Sequence, residues 1–177
     1  LLFSGSVLMS EPSNPTKTCT FYISGPGETE FSGNLSNGAD DRRGILRVEH
    51  PLEGLTILSG ANTYTGDTTV AGGVLLLRSA NALPGGIGTT GGISALTLSG
   101  GILGLGYNDF LRPVTNAAGI RDSVRFSTSG GFAAFDNDRN VNLGGAGQPV
   151  TWGADFVPNN AALILGAPSA DRTVTFV

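Results

Sequence analysis

Two acidic pairs stand at a spacing that could carry acid–base chemistry. Glu28 and Glu30, and likewise Asp136 and Asp138, are separated by a single residue, so in extended chain each pair projects from one strand face. Two carboxylates held about 5–10 Å apart are what glycoside hydrolysis requires. The same period also describes the wet face of an ordinary strand. A polysaccharide lyase would need a base poised beside a metal or an acidic cluster. The only lysine is Lys17, and the arginines are scattered.

Other constellations fall short of their chemistry. His50 is the sole histidine, is followed by Pro51, and has no Gly-x-Ser-x-Gly elbow to serve, so it reads as a turn residue and not as the base of a triad. Asp136-Asn137-Asp138-Arg139-Asn140 copies the first, third and fifth positions of a calcium loop. Val141 then stands where Gly is required and Gly147 where the bidentate Glu should be, which excludes an EF-hand. Gly100-Gly101-Ile102-Leu103-Gly104-Leu105-Gly106 and Gly144-Gly145-Ala146-Gly147 lack the Lys-Ser/Thr pair of a phosphate cradle and read as chain corners. Tyr64 and Tyr107 sit in turn-like settings where a sugar could stack, although Tyr64 reads better as packing against the adjacent turn. No catalytic, cofactor-binding or metal-binding residue is assigned, and the chain reads as a non-enzyme.

The elements that must position these side chains are strands. Of 177 residues 40% are apolar, enough for a core, while 28 are Gly and only 14% are charged. Gly costs a helix about 1 kcal/mol relative to Ala. Here it recurs between short Val/Ile/Leu/Phe/Thr runs without a three-residue period, which favours an all-β chain and excludes collagen. Net charge is −4, and the densest basic pair, Arg42-Arg43, follows Asp40-Asp41, so no basic stripe exists for nucleic acid. Cys19 is alone, which excludes an internal disulfide and a multi-cysteine metal site. No run of about 18 apolar residues is present, so no direct membrane insertion is expected.

Strands are predicted at Leu1–Met9, Thr20–Ser24, Glu28–Leu35, Gly44–Val48, Leu55–Leu58, Thr68–Val70 and Val74–Arg78. They continue at Ala95–Leu98, Ile102–Leu105, Ser123–Ser127, Phe132–Phe135, Val141–Leu143, Pro149–Trp152, Ala162–Leu165 and Thr173–Val177. Ser79–Gly86 and Ala117–Gly119 read as loops or short turns. Leu55-Thr56-Ile57-Leu58-Ser59-Gly60 returns as Leu96-Thr97-Leu98-Ser99-Gly100 and, more loosely, as Phe21-Tyr22-Ile23-Ser24-Gly25. That echo suggests a solenoid with about 20 residues per rung, the two tight copies lying two rungs apart. Leu96 with Leu98 and Val124 with Phe126 should point inward, and Ile57 is expected in the inner column. Val74-Leu75-Leu76-Leu77 is apolar on both faces, so something must cover its outside. Asn62, Asn108, Asn137 and Asn159 suit turns, either as side-chain ladders or through tolerance of left-handed backbone.

Residues 55–77 carry a further signal. Leu55–Gly60, Asn62-Thr63-Tyr64-Thr65-Gly66, Thr68-Thr69-Val70 and Gly73-Val74-Leu75 resemble the autotransporter-associated β-strand repeat, also called the passenger-associated transport repeat. His50-Pro51-Leu52-Glu53-Gly54 replaces the Lys and Gly-x-Gly-Thr usual upstream, and Asp67 stands where a second Gly is common. The resemblance implies a right-handed parallel β-helix, residues 1–177 forming one solenoid segment. It implies a structural stalk of a secreted or surface-displayed bacterial protein, associated with the outer membrane through its parent, whose rungs assist secretion of the passenger. The chain lacks an initiator Met and a leader pattern and stops in mid-strand at Arg172–Val177, so it is expected to be an internal fragment contacting flanking rungs. Alternatives are an adhesin or glycan-binding module, with a surface polysaccharide or host or matrix ligand as partner, and a polysaccharide-degrading β-helix enzyme.

Overall fold

The computed structural model describes residues 1–9, 18–38, 43–51, 53–85, 94–144 and 148–177. Lys17, Asp40 to Arg42, Gly86 and Gly145 to Gly147 lie outside the described residues. The described residues coil through seven rungs. The first holds β1 (Leu2–Phe3), β2 (Val7–Met9) and β3 (Cys19–Ile23); the second holds β4 (Glu28–Phe31), β5 (Leu35–Asn37) and β6 (Gly44–Glu49). Then come β7 (Leu55–Leu58) with β8 (Thr68–Gly72), and β9 (Val74–Leu77) with β10 (Leu96–Leu98). The fifth rung has β11 (Ile102–Leu105), β12 (Phe110–Leu111) and β13 (Val124–Phe126), the sixth β14 (Gly130–Ala134) and β15 (Arg139–Asn142), the seventh β16 (Leu163–Leu165) and β17 (Val174–Phe176).

Each rung adds one strand to each of several parallel sheets. The seven-stranded sheet runs β1-β4-β7-β9-β11-β14-β16, and the five-stranded sheet runs from β3 through β6, β8 and β10 to β13. A third face carries β2-β5 at one end and β12-β15-β17 at the other. With every named strand pair parallel and connections of right-handed sense, this is a right-handed parallel β-helix. Short strands edged by turns and stacked about 4.8 Å apart bury as a column what no single rung could bury alone.

The strand alternation defines the core. On the five-stranded sheet Leu96, Leu98, Val124 and Phe126 face inward and are buried, as their two-residue spacing predicts. On the seven-stranded sheet the inward set is Phe31, Leu58, Leu77 and Leu105 with Thr56, Leu75, Leu103 and Phe132. Ile57 corrects the expectation of an inner position. It lies between Thr56 and Leu58 and therefore points outward, joining Val74, Leu76, Ile102, Ala133 and Phe135 in a second apolar cluster outside the coil. Val74–Leu77 is buried on both faces for that reason, as the run of four apolar residues requires.

The rungs are longer and less even than 20 residues. Paired positions on the seven-stranded sheet step from Leu2 to Glu30, Ile57, Leu76, Gly104 and Ala133, by 28, 27, 19, 28 and 29 residues. Consequently Leu55–Gly60 and Leu96–Gly100 lie on different sheets and are not equivalent turns of the coil. The looser copy at Phe21–Gly25 is the one that shares a sheet with Leu96–Gly100. Leu1–Met9 and Glu28–Leu35 each break into two strands at a corner, where Gly33 rests against the Gly5 carbonyl too closely to admit a Cβ. Pro149–Trp152 is not a strand: the Thr151 carbonyl accepts from the Ala154 N–H at 3.2 Å and its N–H donates to Asp155 Oδ1 at 2.7 Å, closing a turn.

Candidate functional site

Most polar side chains that the sequence offers for chemistry are engaged in holding rungs together. His50 occupies the corner between β6 and β7 and is buried. Its Nδ1 donates to the Gly25 carbonyl at 2.7 Å, and its Nε2 lies 2.7 Å from Thr56 Oγ1. That contact satisfies a hydroxyl in the inner column. Tyr64 is fully buried, which removes it as a sugar platform. Its hydroxyl meets Thr68 Oγ1 at 2.6 Å, and Thr68 in turn meets Ser94 Oγ at 2.9 Å. Burial pushes the Tyr64 phenol well above the ordinary tyrosine range, against the opposing pull of Thr68, Arg112 and Ser94. Arg112 enters the same interior and donates from Nη1 to the Ser94 carbonyl at 2.8 Å. Burial lowers its pKa, and the charge of Asp122 and the Tyr64 oxygen oppose that shift.

Asparagines and aspartates at the corners act as rung-to-rung caps. Asn62 Oδ1 accepts from the Leu35 N–H at 2.8 Å while its Nδ2 donates to the Ala82 carbonyl at 2.7 Å, so one side chain links the second, third and fourth rungs. Asp109 Oδ1 accepts the Asn140 N–H at 2.8 Å, and Asp138 Oδ1 the Thr173 N–H at 2.9 Å. The Asn140 backbone and side-chain amides hold the Asp109 carboxyl below the usual carboxylate range. Apart from glycines, left-handed backbone among the described residues falls on Asp122, Asp136 and Asn160 and on none of Asn62, Asn108, Asn137 or Asn159.

The two acidic pairs separate in role. Asp136 and Asp138 do not form an extended pair, because Asp136 has φ of 66° and turns the chain. Its carboxylate takes Arg78 Nη1 at 3.0 Å while Asp138 caps the next rung. Among the described residues no three His, Cys, Asp or Glu side chains converge as metal ligands. Glu28 and Glu30 do share the outer face of β4, as their spacing predicts, and they open onto a groove of about 410 Å³.

That groove is the candidate site. Its floor is Leu55 and Ile57 of β7 and Leu76 of β9, and its far side is Arg78, Phe135 and Ser169. Glu30 is half-buried and fixed by Ser59 Oγ, which donates to Oε1 at 2.7 Å. Among the described residues neither Glu28 nor Glu30 has a cationic partner within ion-pair distance, and Arg78 is committed to Asp136. The far wall is built by the segment between β16 and β17. Gly166 donates to the Phe132 carbonyl at 2.9 Å, and Arg172 bridges antiparallel to Ala134. Asp171 Oδ1 accepts the Asp136 N–H at 3.0 Å, and Arg172 Nε donates to the Asp136 carbonyl at 3.1 Å. Ala167 and Ala170 of this strap pack on the outer apolar cluster. Phe135 lies over Gly104, whose missing side chain leaves room for the ring.

Sequence reasoning found the carboxylates and missed the groove. Its floor depends on Ile57 facing outward, and its wall on a strap that returns from more than 80 residues downstream, as Arg78 and Ser169 show. The architecture is a repetitive, all-parallel β solenoid of the kind that serves structural roles. No family model, no curated protein and no solved structure matches this chain.

Proposed function

We propose that this chain is a non-enzymatic shaft segment of a secreted or surface-displayed bacterial protein of the autotransporter kind, placed outside the cell, where successive rungs stack and thereby favour outward passage of the parent chain. The observation that supports it is the fate of the repeat-like residues 55–77. Asn62 and Thr68 spend polar atoms on neighbouring rungs, Thr56 and Tyr64 are satisfied by His50 at the entry corner and by Thr68 within the rung, and Leu58, Val70, Leu75 and Leu77 fill the interior. A segment so arranged transmits stacking from rung to rung and leaves little for chemistry.

The test places the chain ahead of a β-barrel translocator in a bacterial host and measures surface exposure by protease accessibility. Leu75→Asp puts a carboxylate into the inner column and should prevent stacking. Surface exposure is expected for the native chain and a marked loss for Leu75→Asp. Equal export of both would reject stacking as the driving step. A reducing-end assay on neutral and acidic polysaccharides is expected to stay at the blank; release abolished by Glu28→Gln with Glu30→Gln would replace this reading with an enzyme.

A further inference from the structure

We propose that residues 166–172 form an external clasp that makes the third to seventh rungs open as one cooperative unit and leaves the first two rungs to open on their own. In a plain solenoid each rung touches only its neighbours, so opening spreads inward from the ends one rung at a time. Three observations set this chain apart. The first is contact across non-adjacent rungs. Arg78 of the fourth rung reaches Asp136 of the sixth, Nη1 to Oδ2, at 3.0 Å. Phe135 of the sixth rung lies over Gly104 of the fifth and belongs to the same apolar cluster as Leu76 of the fourth.

The second is burial on a face that would otherwise meet water. Ile57, Leu76 and Ile102 point away from the interior on the third, fourth and fifth rungs, yet they are only 6%, 1% and 8% exposed. Ala167 and Ala170 of the strap, with Ile164 of β16, pack on their cluster, and Ser169 lines the groove beside Leu55 and Ile57. Lifting the strap returns apolar surface to water on several rungs at once, and that shared cost couples them. The third is how the strap is held and where it ends. Asp171 Oδ1 accepts the Asp136 N–H at 3.0 Å, Arg172 Nε donates to the Asp136 carbonyl at 3.1 Å, and the Thr173 N–H donates to Asp138 Oδ1 at 2.9 Å. Strap and Phe135 turn are thus one piece. On the second rung the outward residues of the sheet are Glu28 and Glu30, which give the strap no apolar surface to cover. What joins that rung to the third, such as the Leu35 N–H bonded to Asn62 Oδ1 at 2.8 Å, is contact between neighbours. Stacking of the seventh rung therefore secures the four before it.

The experiment is native-state hydrogen exchange on the whole chain labelled with ¹⁵N, under conditions where exchange reports opening equilibria. Along the seven-stranded sheet one amide per rung donates to the rung before it: Ser32 to Phe3, Ser59 to Phe31, Arg78 to Leu58, Gly106 to Leu77, Phe135 to Leu105 and Gly166 to Phe132. Arg78, Gly106, Phe135 and Gly166 should share one protection factor within about threefold, and Ser32 and Ser59 should exchange about tenfold faster or more. Leu76→Ala, three rungs from the strap, should accelerate Gly166 as much as Arg78, by about tenfold or more, and leave Ser32 unchanged. Ala170→Asp sets a carboxylate against the outer cluster and should itself accelerate Arg78 and Gly166. In that background Leu76→Ala should no longer reach Gly166. If Ala170→Asp does not fold, the native profile and Leu76→Ala alone decide. Four results overturn the clasp: protection that falls step by step from Arg78 to Gly166 in the native chain; Leu76→Ala accelerating Arg78 but not Gly166, as contact between neighbours would give; Leu76→Ala accelerating Ser32 as much as Arg78, which would make all seven rungs a single unit; or Leu76→Ala reaching Gly166 undiminished in the Ala170→Asp chain, which would route the coupling elsewhere than the strap.

Discussion

Replacing Gly73 by Ala should cost far more than the same change at Gly119, although both glycines sit in left-handed backbone with nearly equal φ, +64° and +70°. At Gly119 an added Cβ meets only Asp67 Oδ2, at 4.0 Å. The penalty there is conformational, about 1–2 kcal/mol, partly offset by the smaller entropy of the unfolded chain, about 0.4–1 kcal/mol. Gly73 links β8 to β9 inside the repeat-like stretch. Its Cβ would stand 2.5 Å from the Gly54 carbonyl oxygen and 2.5 Å from His50 Cβ. The Gly54 oxygen is backbone and accepts the Val74 N–H at 2.9 Å, so it cannot yield without loosening the link between the third and fourth rungs. Overpacking of this kind adds about 1–3 kcal/mol, and a weakened ladder bond about 1 kcal/mol. The expected cost is about 3 kcal/mol for Gly73→Ala and about 1 kcal/mol for Gly119→Ala. Urea unfolding followed by far-ultraviolet circular dichroism measures both, with the slope checked for constancy. Costs that agree within about 0.5 kcal/mol, the usual scatter of neutral surface changes, would refute the close approach at Gly73.

Neighbouring residues of β7 should differ by face. Leu58→Ala opens the interior and is expected to cost about 3 kcal/mol, whereas Ile57→Ala opens onto the groove and should cost about half as much; equal costs in urea unfolding would contradict the register. Asp109→Ala should destabilise the chain at neutral pH, and its thermal midpoint should converge on that of the native chain in acid. The folded-state pKa of Asp109 is depressed by the Asn140 amides. Its stabilisation is therefore present above the unfolded value of about 4 and is lost as pH falls through the lower folded value. Tyr64→Phe removes one hydrogen bond to Thr68 and should cost about 1 kcal/mol at neutral pH. Since the folded phenol has a raised pKa, the native chain should lose stability above about pH 10 relative to Tyr64→Phe, visible in alkaline melts.

Strand positions were legible because turn residues bracket short apolar runs, and Leu96/Leu98 and Val124/Phe126 faced inward as their spacing required. Rung length was not. A two-residue alternation looks alike on every face of a coil, so Leu55–Gly60 and Leu96–Gly100 match in sequence while lying on different sheets. Ile57 misled for a related reason. Thr56 is the inward residue, and its hydroxyl is masked by His50, six positions earlier, a pairing that pattern alone does not reveal. Glu28 and Glu30 were legible as a same-face pair. Their surroundings were not, because Arg78, Phe135 and Ser169 reach them through sheet stacking and a returning strap.

Where that strap stops explains why the groove stays open. Ala167 and Ala170 cover the outer apolar cluster, and Phe135, lying over Gly104, closes its near end. The Arg78–Asp136 pair ties the Phe135 turn to the fourth rung. Continuing an apolar cover over the second rung would desolvate Glu28 and Glu30 without giving either a cation. The effective penalty for burying an unpaired charge is several kcal/mol, more than an extra alanine or leucine returns by burial. The cover therefore ends over Ile57 and Leu76.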